Sequence, residues 1–389
     1  MSCASSHDFQ SPDTAFTPNA HPLPPNITVT NFARTASRTD NMAPTKPKPL
    51  TVAQHLAGSN QAWHGKVAPG TVFPPESGRY RLYIGLFCPF AHRVNIVRHL
   101  LGLQADIPVT VVKPYPKGND KGWPGWAFPS SATEYPGANP DPLFNSSYLH
   151  ELYFRADPEY QGRYSVPVLW DTHTNTIVNN ESAELMHDLP SAGFASASTA
   201  VDLYPAALRA QIDTITPWIQ RDLNSGVYRA GFAQTQEDYD KAVPHVFAAL
   251  NALERLRGAS AAAGPYLLGA ALTELDVRAY ATVVRFDVVY VQHFKCNLGT
   301  IRHDYPQLRN WLAFLYERVP AFRDTTDFRH IKENYTKSHA DINPRGITPM
   351  GPWPDVEVDG YDADATKVRV GGVKMPLVLE LEKELDLGL

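Results

Sequence analysis

The first run of apolar and aromatic side chains with strand character extends from Arg81 to Phe87 and stops at Cys88-Pro89. From there Val94, Val97 and Leu101 recur at helical spacing. Pro89 suits the first helical position, where a missing N–H costs nothing and φ is already set. A second β-branched run, Pro108 to Lys113, completes a strand–helix–strand unit, for which a parallel pair and a right-handed crossover are expected. Residues 114–162 form a long insertion containing Trp123, Trp126 and several Pro and Gly, with one helix expected around Ser146–Phe154. An insertion of that length inside a compact domain points to a functional loop or lid. Arg163 to Trp170 reads as a strand interrupted by Pro167, a residue tolerated only at a strand's edge or end. Asp171 to Asn175 is a hairpin turn into Thr176–Val178, and Asn180 is placed to N-cap a following helix.

The order βαβ, insertion, ββα is that of an α/β thioredoxin-like domain. From about residue 200 the pattern becomes helical. Leu208, Ile212, Ile215 and Ile219 share one face, as do Val246, Leu250, Leu253 and Leu256. Further helical stretches cover Leu275–Tyr290 and Leu308–Val319, so the second domain is expected to be all-α. The first fifty residues are rich in Pro, Ser, Thr and Asn without apolar periodicity and read as disordered. The tail from about 350 is acidic and irregular apart from a helical pattern over Leu377–Leu385. The expected organisation is an extension (1–50), a thioredoxin-like domain (51–195), a helical domain (196–350) and a tail (351–389).

Composition narrows the classes. At 389 residues with 43% hydrophobic and 19% charged positions, the chain has apolar material for two cores. A net charge of −5 argues against a nucleic-acid partner, which would want a basic face. No run approaches the roughly 18 apolar residues of a membrane-spanning helix. Three widely spaced cysteines, Cys3, Cys88 and Cys296, form neither a disulfide framework nor a four-ligand zinc site. That cysteine usage points to a reducing compartment, the cytoplasm. Arg34 and Arg38 lend a trace of organelle-targeting character that Asp8, Asp13 and Asp40 oppose, and Met42 is an alternative start.

Cys88 is the candidate reactive residue. A helix N-terminus favours an anion, and His92 and Arg93 one turn on add positive charge, conditions that lower a thiol pKa. The alternative is a buried cysteine acting as a small hydrophobe. Ala91 occupies the place of the second cysteine in a Cys-x-x-Cys pair, so Cys88 has no neighbouring resolving thiol.

Longer strings carry a resemblance. Gly162-Arg-Tyr-Ser-Val-Pro-Val-Leu-Trp-Asp171, Val178-Asn-Asn-Glu-Ser182, Gly226-Val-Tyr-Arg-Ala-Gly-Phe-Ala233 and Val284-Arg-Phe-Asp287 are similar to the Xi-class glutathione transferases, the glutathionyl-hydroquinone reductases. So are Tyr290-Val-Gln-His-Phe-Lys-Cys-Asn297, His330-Ile-Lys-Glu-Asn-Tyr335 and Ser338-His-Ala-Asp-Ile-Asn-Pro344. The likeness spans roughly residues 60–353, and Phe90 stands where the family usually has Trp. The resemblance implies the glutathione transferase fold, glutathione as co-substrate without a metal, glutathionyl-aromatic substrates and a homodimer paired through the helical domain.

By the same resemblance Cys88 is the nucleophile, and Trp126, Val166, Glu181 and Ser182 bind glutathione. A cis Val166-Pro167 bond would present the Val166 backbone to the tripeptide, the helix start at Glu181–Ser182 suits its γ-glutamyl end, and Arg163 is a candidate for its glycine carboxylate. Tyr228, Tyr290 and Tyr335 line the aromatic site, Tyr228 and Tyr335 with a catalytic part. Cys296 with His293 is too small a set for a metal and reads as structural. A conjugating, omega-like transferase and a non-catalytic carrier of aromatic metabolites are the other readings. A cysteine where conjugating enzymes have Ser or Tyr favours disulfide chemistry.

Overall fold

The computed structural model describes residues 63–116, 125–354, 356 and 360–388. The extension before residue 51, Cys3 and Trp123 lie outside the described residues. A four-stranded sheet is built from β1 (Tyr80–Ile84), β2 (Val109–Val111), β3 (Val168–Asp171) and β4 (Thr176–Asn179), in the order β2-β1-β3-β4. β1 and β2 are parallel, joined across α1 (Pro89–Leu100) as expected, while β1/β3 and β3/β4 are antiparallel. α2 (His150–Ala156) lies in the insertion and α3 (Ser182–Asp188) follows β4.

The strands are shorter than their apolar runs. β1 ends at Ile84 because the chain turns at Gly85, where the Cys88 N–H bonds the Gly85 carbonyl at 2.9 Å. β3 begins only after Pro167, whose bond to Val166 is cis. α2 starts at His150 rather than Ser146, with the Glu151 carboxylate reaching back to the N–H groups of Ser147 and Tyr148 at 2.9 Å. Asn180 does not cap α3. β4 continues through Asn179, whose side chain takes the Glu181 N–H at 2.7 Å, so Glu181 becomes the residue before the helix. Asn180 instead accepts from the Trp63 N–H at 2.9 Å and so ties down the segment before β1.

The helical part comprises α4 (Arg209–Trp218), α5 (Gly226–Gly231), α6 (Gln236–Ser260), α7 (Glu274–Arg285), α8 (Ile301–Asp304), α9 (Pro306–Arg318), α10 (Pro320–Arg323) and α11 (Phe328–Ser338). π-helical turns follow α4 (Ile219–Asn224) and α7 (Phe286–Tyr290), so the expected Leu275–Tyr290 helix is two pieces. α7 opens on a capping box in which Asp276, fully buried, accepts from Thr273, from the Leu267 N–H and from Trp311 Nε1. The predicted apolar faces are the buried ones: Ile212, Ile215 and Ile219, and Val246, Leu250, Leu253 and Leu256. α1 packs against α3 on one side and α7 on the other, which brings the Cys88 end of the first helix to the helical layer.

Two segments expected to be irregular are held by buried polar groups. The insertion is fastened to α11 by His330 Nε2 on the Pro136 carbonyl (2.7 Å) and by the Tyr135 hydroxyl on Glu333 (2.8 Å). The tail runs along α6, where Glu254 accepts from the Gly371 N–H and Asn251 pairs with both backbone groups of Val373, and ends in α12 (Pro376–Lys383). No described helix is long and apolar enough to cross a membrane.

Candidate active site

Cys88 stands immediately before α1 with extended backbone (φ −79°, ψ 122°), followed by Pro89 as the first helical residue. Its Sγ lies 3.6 Å from the Val166 carbonyl, to which the thiol donates. The Val166-Pro167 bond is cis, as the resemblance implies. Burial pushes the Cys88 thiol up, and the N–H groups of Ala91 and Phe90 with the guanidiniums of Arg285 and Arg93 pull it back. The expectation of a simply lowered thiol is corrected on that account. The contribution expected of His92 is corrected too. It is buried beside Arg285, both effects hold its pKa well below the usual range, and the ring is neutral. Arginine can only donate, so His92 Nδ1 accepts from Arg285 (2.9 Å) and the ring proton sits on Nε2 facing Thr325 (3.0 Å).

Ser182, the first residue of α3, accepts from Arg93 Nε (3.1 Å) and Nη2 (2.7 Å), while Arg93 Nη1 reaches Gln220 Oε1 at 3.1 Å. Ser182 thus lies beside a buried cation, with its own proton left to donate. Glu181 is half-buried, and burial with the nearby Glu184 pushes its carboxyl up against the pull of His64, Arg93 and Arg163. Arg163 Nη2 is buried without a hydrogen-bond partner among the described residues, so an acceptor there would be favoured. Trp126 is buried with its ring 4.4 Å from that of Phe87, the residue preceding Cys88. Phe90 lies 5.2 Å beneath the Arg93 guanidinium and 6.1 Å from the Tyr228 ring.

The three tyrosines, scattered over α5, the turn after α7 and α11, meet in one hydrogen-bonded chain. Tyr335 Oη lies 2.5 Å from Tyr228 Oη and 2.9 Å from Tyr290 Oη. Tyr290 and Tyr335 are buried and Tyr228 is half-buried, and desolvation with the neighbouring phenols raises Tyr228 and Tyr290 well above the ordinary range. Tyr335 is pushed up only to about 12 by burial, because Arg285 and hydrogen bonds from both neighbours favour its ionised form. A negative Cys88 acts on Tyr228 and Tyr335 directly, which places the sulfur within electrostatic reach of the phenols. Phe294 stacks on Tyr290 at 5.5 Å, and His293 and His339, 3.1 Å apart, close the far side. Cys296 is buried, with its thiol pushed up to about 12 by burial, as fits a structural residue. Among the described residues no group of three or more metal-binding side chains occurs.

Reasoning from the sequence did not single out Arg285 or Gln220. Arg285 lies within the Val284–Asp287 string, but a helix-borne arginine carries no local sign that it will point at a turn nearly two hundred residues earlier.

Two family models match the chain: the N-terminal domain of glutathione S-transferase over residues 87–192 and the C-terminal domain of glutathione S-transferase over 232–314. "Glutathione S-transferase omega-like 2" of Schizosaccharomyces pombe is 52% identical over 289 residues, covering 73% of this chain and 89% of the relative. "Glutathionyl-hydroquinone reductase YqjG" of Escherichia coli is 45% identical over 294 residues, covering 75% and 85%. The crystal structure of the Xi glutathione transferase ECM4 from Saccharomyces cerevisiae, in complex with glutathione, superposes with a TM-score of 0.71 at 37% identity, covering 77% of this chain and 97% of that one.

Proposed function

The chain belongs to the Xi class of the glutathione transferases, and from that premise we propose that it reduces glutathionyl-hydroquinones to hydroquinones with glutathione as the reductant. The single observation that carries the reading is a monothiol at a helix start within electrostatic reach of Tyr228 and Tyr335, two of three linked phenols. The Cys88 thiolate attacks the sulfur of the glutathionyl-hydroquinone. Before that attack the substituted ring carbon takes up a proton as a ring hydroxyl gives one up, forming the keto tautomer. A Cys88–glutathione disulfide then forms as the carbon–sulfur bond breaks, and the bonding pair passes through the ring to the carbonyl oxygen, which is protonated to give the hydroquinone. A second glutathione thiolate then attacks the mixed disulfide, releasing oxidised glutathione and free Cys88.

The phenols serve the leaving ring. Charge developing on its oxygens is met by hydroxyls that burial keeps protonated at neutral pH. Tyr335, whose oxygen both neighbours support, is the member most able to give up its proton. Glutathione lies on the first domain, along the Val166 backbone, with Glu181 on its ammonium, Ser182 on its α-carboxylate, Trp126 covering it and Arg163 on its glycine carboxylate. Arg93 behind Ser182 adds positive charge where that α-carboxylate would sit.

The test is turnover of glutathionyl-menadione with glutathione, followed by the appearance of oxidised glutathione. Cys88→Ser is expected to abolish it and Cys296→Ser to retain most of it; equal rates for Cys88→Ser and the parent would remove the mechanism. The proposal includes a homodimer formed through the helical domain, so light scattering should give about twice the chain's 43.1 kDa, and a mass of one chain at micromolar concentration would refute that part.

A further inference from the structure

Arg285, the last residue of α7, is fully buried. Its Nε donates to the Phe87 carbonyl (3.0 Å) and its Nη2 to the Leu86 carbonyl (3.1 Å), while Nη1 donates to the Ala281 carbonyl (2.6 Å) and to His92 Nδ1 (2.9 Å). Every one of these acceptors is neutral. Among the described residues no carboxylate lies within ion-pair distance of this guanidinium, nor of that of Arg93, whose partners are Ser182 and Gln220. Isolated cations in a protein interior are costly unless an opposite charge or rich hydrogen bonding meets them. Here two of them flank one turn.

That turn carries Cys88. Leu86 and Phe87 are the two residues before it, so Arg285 grips the backbone directly behind the sulfur from the opposite domain. The groups facing Cys88 are His92 and Arg93 on its own helix, the Val166 carbonyl before β3, Arg285 from α7, and Tyr228 and Tyr335 from α5 and α11. His92 and both phenols are neutral at pH 7, and Glu181 and Glu274 act on Arg93 from beyond hydrogen-bond range. The charged groups nearest the sulfur are therefore both positive, and the group in this shell that can balance them by ionising is the Cys88 thiol.

We propose that Arg285 is a positioning residue for Cys88, holding the turn through the Leu86 and Phe87 carbonyls and supplying buried positive charge that favours ionisation of the sulfur. The proposal rests on Cys88 being the nucleophile. It assigns to the helical domain, besides substrate binding, the electrostatics of a cysteine that belongs to the other domain. Separation of the two layers would then switch off the thiol as well as the aromatic site.

The test is the pH dependence of iodoacetamide alkylation of Cys88 in a Cys3→Ser, Cys296→Ser protein, read by mass spectrometry. Arg285→Gln, which keeps hydrogen-bonding capacity and loses the charge, should move the alkylation midpoint up by about one pH unit or more, a roughly tenfold loss of thiolate below it. Arg285→Lys, which keeps the charge and loses the fork, should stay within about half a unit of the parent while kcat falls through misplacement of the turn. A midpoint within about 0.3 units of the parent in folded Arg285→Gln overturns the proposal, as does a Lys variant displaced by about a unit. If Arg285→Gln does not fold, the Lys variant decides by the same two outcomes. Alkylation reads the thiol whether or not the enzyme turns over, so the test is separate from that of the reaction. Loss of the reductase reading would show as turnover surviving in Cys88→Ser.

Discussion

Tyr335→Phe removes the oxygen on which both neighbouring phenols converge, and the structure sets the size of the effect. The Tyr228 and Tyr290 hydroxyls, the first half-buried and the second buried, would each lose the partner at 2.5 and 2.9 Å. A buried polar group left unpaired costs about 1–3 kcal/mol, so the substitution should destabilise the protein by about 2–4 kcal/mol. Tyr228→Phe breaks one of the two bonds and leaves Tyr335 paired with Tyr290, for about 1 kcal/mol. The chemical step should follow the same order. Loss of one preorganised donor commonly costs a factor of about 10²–10³ in kcat. Tyr335→Phe also disconnects Tyr228 from Tyr290 and should sit at the upper end, with Tyr228→Phe nearer tenfold. Urea unfolding gives the first quantity. A single turnover with glutathionyl-menadione and no free glutathione gives the second, with menadiol and the Cys88–glutathione adduct quantified together. The KM for glutathione should stay within about twofold, because the proposed tripeptide site is on the other domain. Equal kcat values for the two variants, within about threefold, would refute the convergence argument and leave the phenols as pocket lining.

Glu181→Ala should raise the KM for glutathione by one to several orders of magnitude, roughly the effect of losing a desolvated charge-assisted contact, with the unfolding midpoint unchanged; a KM within a factor of two would remove Glu181 from the site. Asp171 is fully buried and grips Arg79 through two hydrogen bonds of 2.8 and 2.7 Å. Burial pushes its carboxyl up, but Arg79, Thr174 and the His173 N–H together hold it down at about 2. Its unfolded value is near 3.9, so the stabilisation is complete above pH 4 and is lost as pH falls through about 2. Asp171→Asn should cost about 3–5 kcal/mol near neutrality, with the gap to the parent narrowing by about 2.6 kcal/mol between about pH 4 and pH 2 in denaturant titrations; a gap independent of pH would contradict the ion-pair account.

Much of the scaffold is legible because its elements advertise themselves locally. The βαβ unit and the Pro89 helix start lie in runs whose side-chain pattern matches their burial, while the cis Val166-Pro167 bond is implied by the resemblance. The helical faces are legible for the same reason, each apolar stripe meeting a neighbour. What misleads are the polar positions whose partners are remote in sequence. Asn180 looks like a helix cap but is committed to the backbone of Trp63, 117 residues away. The tail looks irregular because its order comes from Glu254 and Asn251, buried acceptors and donors on α6 rather than apolar periodicity of its own. Local patterns report which face is covered, and say little about what a buried polar group will bond.

The site shows the same division with larger consequences. Cys88 is visible because a helix N-terminus is a local feature, whereas the parts given to Glu181 and Ser182 and the convergence of Tyr228, Tyr290 and Tyr335 were reachable only through resemblance. Electrostatics are the least legible of all, because burial can reverse the charge that a sequence suggests. His92 reads as a cation one turn from the thiol, yet its desolvation and the adjacent Arg285 leave it neutral, an acceptor that orients the guanidinium. Arg93 keeps its charge, though burial pulls it down to about 9, and spends its donors on Ser182 and Gln220. The positive environment expected around Cys88 is present, but half of it comes from the other domain. A thioredoxin-like domain with its own Cys-Pro helix start would present this sulfur in a field weaker by one buried charge. With Cys88 as the proposed nucleophile, interdomain packing in this chain would bear on the ionisation of the thiol as well as on the shape of the pocket.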